Sequence, residues 1–228
     1  MRLKFTTLGV LLFLHGFIVA TPDYTSLDEA LKNPTAVKSL NLSARGLTAL
    51  SENIGKLVNL ERLNICNNKL TSLPKALFTL KKLKYLNIAS NKLTTLSSSI
   101  GNLKALQELE AGYNLFSAVP KELGLLPKLK RLVLSKNSLK TLPAGLSALL
   151  SLEILDLTYN QFTELPSCIT GMLNLKDVDC SYNKGLSSFP VDVKNLKQLK
   201  LLNLKNTMIS SKQVDDLTWL IPDCQIML

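Results

Sequence analysis

Leucine recurs along this chain with a fixed spacing. The recurring positions are Leu60, Leu83, Leu106, Leu129, Leu152 and Leu175, which are evenly spaced. Val37 lies one such interval before this series, and Leu199 follows it at an interval that is longer by one position. Self-similarity at such a period is the signature of a solenoid, in which each repeat is one structural unit stacked on its neighbours. The spacing therefore predicts a repeat architecture over most of the chain.

Within each repeat, the apolar positions predict one short strand and an apolar return path. The clearest copy, residues 129–151, is LKRLVLSKNSLKTLPAGLSALLS. Leu132 and Leu134 are two residues apart and share one face of a strand, whereas Leu129 enters from the bend before it. The return path contains Leu139, Leu142, Leu146 and Leu149. One coil cannot bury this apolar stripe alone, but stacked coils can, so we expect short parallel strands in a curved sheet.

Written as LxxLxLxxNxLxxLPxxIxxLxx, the motif occurs in eight copies and resembles the 23-residue LPxxI type of the leucine-rich repeat family. The resemblance covers roughly residues 37–209. It implies an α/β leucine-rich-repeat solenoid, a curved right-handed coil of eight repeats with the parallel sheet on the concave face. The family members with similar repeats are bacterial secreted proteins and Ras-pathway-like scaffold proteins.

The asparagine of the motif recurs in six consecutive repeats. These residues are Asn68, Asn91, Asn114, Asn137, Asn160 and Asn183. The chain turns sharply after each strand, and an asparagine side chain can satisfy backbone groups that the turn leaves inside. The resemblance implies that the six side chains form a hydrogen-bonded structural ladder.

Both ends of the repeat array are predicted to be capped. Ser26 to Glu29 matches a capping box that opens a helix through about Lys32. Residues 210–220 have apolar side chains at helical spacing, and the tail after them is compatible with one more short strand. The predicted organisation is a signal peptide at 1–20, an N-terminal helical cap at 21–36, the repeats at 37–209 and a C-terminal cap at 210–228.

The first twenty residues indicate a secretory signal peptide. Arg2 and Lys4 precede a nearly uncharged apolar run over 8–20, and Ala20 offers a small-residue cleavage point. The run is shorter than the roughly 20 residues that a membrane-spanning helix needs. We therefore predict a secreted or periplasmic protein with no membrane span after leader removal. An uncleaved anchor and a cytoplasmic protein are the alternatives.

Composition argues against an enzyme. The chain has 228 residues and a formal net charge of +10, and its one histidine, His15, lies in the predicted leader. The mature chain would lack the commonest general base and metal ligand, and it has no glycine-rich phosphate loop or HExxH motif. We predict a non-enzymatic protein with no cofactor and no metal. Cys66 and Cys180 lie too many strands apart to bond, whereas a bond from Cys224 to Cys168 or Cys180 stays open.

Outward positions of the strands, and of the turns after them, hold the candidate binding residues. The position before the ladder asparagine holds Tyr113, Lys136, Tyr159 and Tyr182 in repeats four to seven. In the same repeats, one outward strand position holds Glu108, Arg131, Ile154 and Asp177. Another holds Glu110, Val133, Asp156 and Asp179, and Tyr85 of repeat three also points outward. Side chains on adjacent strands lie about 5 Å apart. We therefore expect Lys136 to make cation–π contacts worth roughly 0.5–1 kcal/mol with the flanking tyrosines.

This aromatic and acidic surface predicts a partly cationic protein or peptide ligand, since exposed tyrosines are common binding hot spots. The plainer interpretation is that tyrosine is frequent at this position in the family. A divalent cation on the carboxylates is a weaker alternative. The basic rim favours solubility over nucleic-acid binding, because no nucleic-acid motif accompanies it. An intracellular signalling scaffold similar to Ras-pathway proteins is the alternative function.

Overall fold

The sheet is parallel and follows the order of the sequence. The computed structural model describes residues 23–228, so the predicted leader lies outside the described residues. The strands are β1 (Ser39–Asn41), β2 (Arg62–Asn64), β3 (Tyr85–Asn87), β4 (Glu108–Glu110), β5 (Arg131–Val133), β6 (Ile154–Asp156), β7 (Asp177–Asp179), β8 (Leu201–Asn203) and β9 (Gln225–Met227). Each strand pairs with the strand of the next coil. The predicted solenoid is confirmed, and the C-terminal tail adds its strand as β9.

Short 3-10 helices cross the side opposite the sheet. They span Glu52–Lys56, Lys75–Thr79, Ser98–Asn102, Lys121–Leu125, Ala144–Ala148, Ser167–Gly171 and Val191–Asn195. Five of them begin after a proline at the N-cap, with φ between −57° and −73°, a value the proline ring imposes. Ser51 and Ser97 take this place in the other two, and each side chain accepts a hydrogen bond from a backbone N–H. The repeated proline therefore fixes where each convex turn begins.

The N-terminal end closes on the first coil. Helix α1 (Leu27–Ala30) begins after Ser26, whose hydroxyl accepts a hydrogen bond from the Glu29 N–H. The helix ends two residues earlier than predicted, and the Glu29 carboxylate accepts from Lys32 at 2.7 Å. Tyr24 forms a parallel bridge with Leu40 of β1. This bridge covers the outer edge of the first strand.

The C-terminal end carries a longer helix. Helix α2 (Ser211–Leu220) opens with a reciprocal capping box, in which Ser210 and Gln213 each bond the backbone N–H of the other. Leu217 is its fully buried residue. The helix occupies the convex part of the last coil, between β8 and β9.

The core is a continuous stack of leucines that follows the repeat period. Leu129, Leu132 and Leu134 are fully buried, and so are the leucines at the same positions of the neighbouring coils. Close approach on the convex side requires glycine at some points. A Cβ on Gly124 would lie 2.0 Å from the Gly145 carbonyl oxygen. At this turn the neighbouring coils are therefore packed too closely for a side chain at position 124.

The asparagine ladder ties each coil to the one before it. The Asn114 Nδ2 atom lies 3.2 Å from the carbonyl oxygens of Ala111 and Gly112 in its own coil, and 3.0 Å from that of Ile88 in the preceding coil. Its Oδ1 atom accepts from the Leu93 N–H at 3.1 Å. The other five ladder asparagines repeat this pattern. The column therefore holds the coils together.

Two further features bear on the predictions. Within residues 23–228, no helix is both long and apolar enough to cross a membrane. All four cysteines are unbonded, so the bond left open for Cys224 is not formed. Cys180 is buried in the core, and burial raises the pKa of the Cys168 and Cys224 thiols to about 11.

Candidate functional site

The turn after each strand forces one residue into the left-handed region. This residue comes immediately before the ladder position, and its φ lies between 50° and 59°. In the successive coils it is Ala44, Asn67, Ser90, Tyr113, Lys136, Tyr159, Tyr182 and Asn206. Left-handed backbone costs a residue other than glycine roughly 1–2 kcal/mol, and asparagine tolerates it best. Sequence reasoning missed this conformation. The asparagines at positions 67 and 206 are the signal that pointed to it.

The side chains at four of these positions form one continuous stack. The Lys136 Nζ atom lies 4.4 Å from the Tyr113 ring centroid and 4.9 Å from that of Tyr159, so the predicted cation–π contacts are confirmed. Tyr159 and Tyr182 stack with centroids 4.1 Å apart and planes 8° from parallel. We refer to these four residues as the tyrosine–lysine stack. Its tyrosines remain 39–52% exposed, so the stack presents aromatic surface to a partner.

The first residues of the strands form a second column across the concave surface. The registers place Arg62, Tyr85, Glu108, Arg131, Ile154 and Asp177 side by side. The Arg62 guanidinium lies 4.6 Å from the Tyr85 ring centroid, a contact that sequence reasoning missed. The Arg131 Nε–H donates to the Glu110 carboxylate at 2.9 Å. Burial raises the pKa of Tyr85 above the ordinary value of a tyrosine.

The third residues of the strands form a column with a structural role that the sequence analysis did not anticipate. Asp156 accepts a hydrogen bond from the Thr158 N–H, and Asp179 accepts one from the Ser181 N–H, both at 2.9 Å. The same bond is made in other coils by Asn41, Asn64, Asn87 and Asn203. The two aspartates therefore brace their turns as well as carrying charge. Val133 in this column is 7% exposed and offers little contact area.

Negative charge concentrates on β4 to β7, although the whole chain has a net charge of +10. The carboxylates are Glu108, Glu110, Asp156, Asp177 and Asp179, and Arg131 lies among them. Burial first, and then the charge of Asp179, raise the pKa of Asp177, whereas Arg131 opposes the shift. No group of three His, Cys, Asp or Glu residues in the part of the chain that the structure describes could hold a metal ion. The arrangement is electrostatic rather than ligating.

Lysines at the edge of the sheet are paired with acids of neighbouring coils. The Lys84 Nζ atom lies 2.6 Å from the Glu61 carboxylate, and Glu153 is contacted by Lys176 at 2.7 Å and by Lys130 at 3.7 Å. Hydrogen bonds from these lysines lower the pKa of Glu61 and of Glu153. These lysines therefore contribute less free positive charge than their number suggests.

An open pocket of about 480 Å³ lies beside the tyrosine–lysine stack. Its lining residues are Tyr159, Tyr182, Gln161, Lys184, Gly185 and the ladder asparagines Asn137 and Asn160. The pocket therefore adjoins the tyrosine–lysine stack across coils five to seven. Of the predicted tyrosines, Tyr85 lies apart from the stack, in the strand column beside Arg62.

Comparisons with known proteins agree with this architecture. A family model described as a leucine-rich repeat region matches residues 4–133, and one described as a leucine rich repeat matches residues 112–162. No curated protein sequence matches the chain significantly.

Several solved structures have a similar fold. The leucine-rich-repeat ectodomain of the plant membrane receptor kinase GASSHO1/SCHENGEN3 from Arabidopsis thaliana, solved in complex with CASPARIAN STRIP INTEGRITY FACTOR 2, is 34% identical with a TM-score of 0.60. The match covers 70% of this chain and 20% of that ectodomain. An internalin from Listeria monocytogenes is 20% identical with a TM-score of 0.65, covering 78% of this chain and 50% of the internalin.

A third similar structure is the leucine-rich repeat domain of the type III effector XopL. It is 21% identical with a TM-score of 0.71, and the match covers 88% of this chain and 79% of that domain. At these identities, the internalin and the effector show a shared fold alone. The chain spans a fifth of the receptor ectodomain and half of the internalin.

Proposed function

Since this chain belongs to the leucine-rich repeat family, we propose that it is a non-enzymatic binding protein whose concave surface takes up a protein or peptide ligand. The observation that carries this proposal is the tyrosine–lysine stack. It is a continuous row of exposed aromatic and cationic side chains on four successive coils. Tyrosine offers a large contact area at low entropic cost, which is why it is enriched at binding hot spots.

The backbone under the stack supports the same conclusion. Tyr113, Lys136, Tyr159 and Tyr182 occupy left-handed positions, where asparagine would cost less. The contacts within the stack, each worth roughly 0.5–1.5 kcal/mol, offset part of that cost. Binding of a ligand on the exposed aromatic surface supplies a reason for placing large side chains there.

The charge of the neighbouring strands favours a ligand that is partly cationic. The five carboxylates on β4 to β7 lie in the columns next to the stack. The hydrogen bonds that Asp156 and Asp179 accept from backbone N–H groups brace the turns without neutralising these side chains. Complementary charge speeds encounter and fixes orientation more than it adds affinity. Basic residues of the ligand would therefore lie over these strands.

Location outside the cytoplasm is part of the same proposal. It is supported by the predicted leader at 1–20 and by the 34% identity to a membrane receptor ectodomain. N-terminal sequencing of the native protein after fractionation tests it. A start near residue 21 in an extracytoplasmic fraction is the expected result. An intact Met1 in the cytosol would favour the intracellular scaffold instead.

Selection of a displayed library of short random peptides on the purified protein tests ligand binding. The enriched peptides are then measured against the double variant Tyr159→Asn/Tyr182→Asn, which keeps a side chain suited to the left-handed turn. We expect at least a tenfold loss of affinity, as is typical of removing hot-spot residues. The matched control is Trp219→Ala, which removes an aromatic side chain that is 81% exposed on α2. Equal affinity for all three proteins would refute the placement of the site.

The charge of the strands is tested separately with Asp156→Asn/Asp179→Asn. Asparagine holds the equivalent position in β2, β3 and β8 and makes the same turn hydrogen bond, so the turns keep that bond while two charges are removed. The change at position 179 loses the bond that Asp179 accepts from the Asn203 side chain. We expect slower association with basic peptides and a weaker dependence of that rate on salt. An unchanged rate would remove the cationic part of the proposal and leave the aromatic part standing.

A further inference from the structure

The pocket beside the stack contains two polar side chains that the fold does not use. Among residues 23–228, neither the Gln161 amide nor the Lys184 ammonium makes a hydrogen bond or ion pair within the protein. Both residues are exposed and line the pocket together with Tyr159 and Tyr182. The two ladder asparagines that line the pocket, Asn137 and Asn160, are already satisfied by backbone groups. The free hydrogen-bonding capacity of the pocket therefore comes from the tyrosines, Gln161 and Lys184.

The chemistry of these groups favours negative charge. Lys184 carries a full positive charge and three donors, and the Gln161 amide supplies two more donors. The described residues that line the pocket include no carboxylate, although the strand columns nearby are acidic. The same concave surface thus presents a negative region on the strands and a positive one beside the turns.

Coil seven is built differently at this point. The interval from Leu175 to Leu199 exceeds the regular repeat by one position, and the extra residue falls near Gly185. A Cβ on Gly185 would meet its nearest neighbour at 3.4 Å, an ordinary contact. Gly185 borders the pocket and has no side chain to fill it.

We propose that this pocket binds an oxyanion carried by the peptide ligand, with Lys184 and Gln161 as its donors, so that the ligand pairs a negative group here with basic residues over the strands. The inference rests on the proposed function of the concave surface. Two sources share this chemistry, the carboxylate of an aspartate or glutamate residue and a phosphate or sulfate ester. Both are acceptors that an ammonium group and an amide recognise.

A double-mutant cycle with a peptide enriched from the displayed library tests the inference. Each Asp or Glu of that peptide is replaced by its amide, and every version is measured on the original protein and on Lys184→Ala. We expect one replacement to weaken binding to the original protein about tenfold or more, in line with the loss of a charged hydrogen bond. The same replacement should have little effect on Lys184→Ala. The control is Lys92→Ala, which removes an exposed lysine at the equivalent position of coil three, outside this pocket.

The outcomes separate the two proposals. The oxyanion site would be overturned if no amide replacement weakened binding, or if each weakened binding to the original protein and to Lys184→Ala equally. Binding through the tyrosines would still stand in that case. A peptide insensitive to Tyr159→Asn/Tyr182→Asn would instead refute the proposed function. A phosphoserine in place of the critical acid distinguishes the sources. Tighter binding indicates an ester, and weaker or equal binding indicates a carboxylate.

Discussion

Tyr159 stacks face to face on Tyr182 although the two residues belong to different coils, with ring centroids at 4.1 Å. The stacking follows from the repeat itself. Both residues have positive φ at the same point of the turn, and successive coils are displaced by about one strand spacing of roughly 4.8 Å. Identical backbone geometry at that spacing brings identical side chains into parallel contact. The solenoid thus converts a sequence period into an exposed aromatic row.

The left-handed conformation of the stack predicts which substitutions Tyr159 tolerates. Tyr159→Asn loses the ring contacts but gains a side chain suited to positive φ, so we expect the free energy of unfolding to change by less than about 1 kcal/mol. Tyr159→Val loses the same contacts and places a β-branched side chain there, which should cost roughly 1–2 kcal/mol more. Urea denaturation measures both values. Equal stability of the two variants would contradict a backbone cost at this position.

The asparagine ladder predicts a large loss of stability from a single change. Asn114→Ala removes three hydrogen bonds to buried carbonyl oxygens, each of which keeps a second donor, and it leaves the buried Leu93 N–H without an acceptor. We expect the free energy of unfolding to fall by about 3 kcal/mol, since one unsatisfied buried N–H costs roughly 1–3 kcal/mol and each lost hydrogen bond adds about 1 kcal/mol.

Asn87→Ala is the control for the ladder. Asn87 is half-buried, and it bonds the Ala89 N–H and the Tyr85 hydroxyl. We expect a loss of about 1 kcal/mol, the net value of an ordinary hydrogen bond. Similar losses for Asn114→Ala and Asn87→Ala in chemical denaturation would show that the ladder has no special weight.

Close packing of the convex turns predicts that alanine destabilises the protein at one glycine and not at another. The added Cβ of Gly124→Ala would meet the Gly145 carbonyl oxygen at 2.0 Å, so the coils must move apart, at a cost of roughly 1–3 kcal/mol. Gly185→Ala meets only an ordinary contact at 3.4 Å with Thr163. It should be neutral or stabilise by up to about 1 kcal/mol, because alanine restricts the unfolded chain. Thermal unfolding of the two variants compares them, and a stable Gly124→Ala would contradict the packing described here.

Replacing the half-buried Asp177 with asparagine should stabilise the protein at neutral pH but not at acidic pH. The pKa of Asp177 is raised by burial and by Asp179, so the folded protein holds the proton more tightly than the unfolded chain, whose aspartates titrate near about 3.9. Stability therefore falls as the pH rises from that value through the folded pKa. Asp177→Asn should raise the free energy of unfolding at pH 7 by a few tenths to about 1 kcal/mol, the range of cross-strand charge pairs.

At about pH 3 both states hold the Asp177 proton, so the same substitution should have almost no effect. Asp215→Asn, on the exposed side of α2, serves as the control at both pH values. A gain of equal size at pH 3 and pH 7 would show that ionisation of Asp177 is not its cause.

The repeat made much of the fold predictable from the sequence. The spacing of Leu129, Leu132 and Leu134 fixes which positions face the core, so the stacked coils, the parallel sheet and the order of the surface columns follow from counting residues. The contact of Lys136 with two tyrosine rings was predictable for the same reason. Such predictions need only the period and the strand spacing.

What the sequence did not reveal depends on backbone geometry within one turn. The positive φ at Tyr113 and the hydrogen bond from the Ser181 N–H to Asp179 arise from the path of the chain between strand and ladder. Asparagines at the equivalent positions of other coils indicate both features. The tyrosines do not, because tyrosine is not typical of a left-handed position, and the aspartates do not, because a carboxylate fits a ligand-binding role equally well. The pocket at Gln161 and Lys184 combines two coils with an inserted residue, and no periodic pattern predicts such an exception.

Ligand binding by the tyrosine–lysine stack is measured by a carbon-13 NMR titration that follows the aromatic ring signals, which are easily assigned because the chain contains five tyrosines and one tryptophan. The added probe is a peptide enriched from the displayed library. We expect the signals of Tyr159 and Tyr182 to shift in proportion to bound peptide, while those of Tyr24 and of Trp219 on α2 stay unchanged. A shift of the Trp219 signal with unchanged signals of the stacked tyrosines would place the ligand elsewhere and contradict binding through the concave surface.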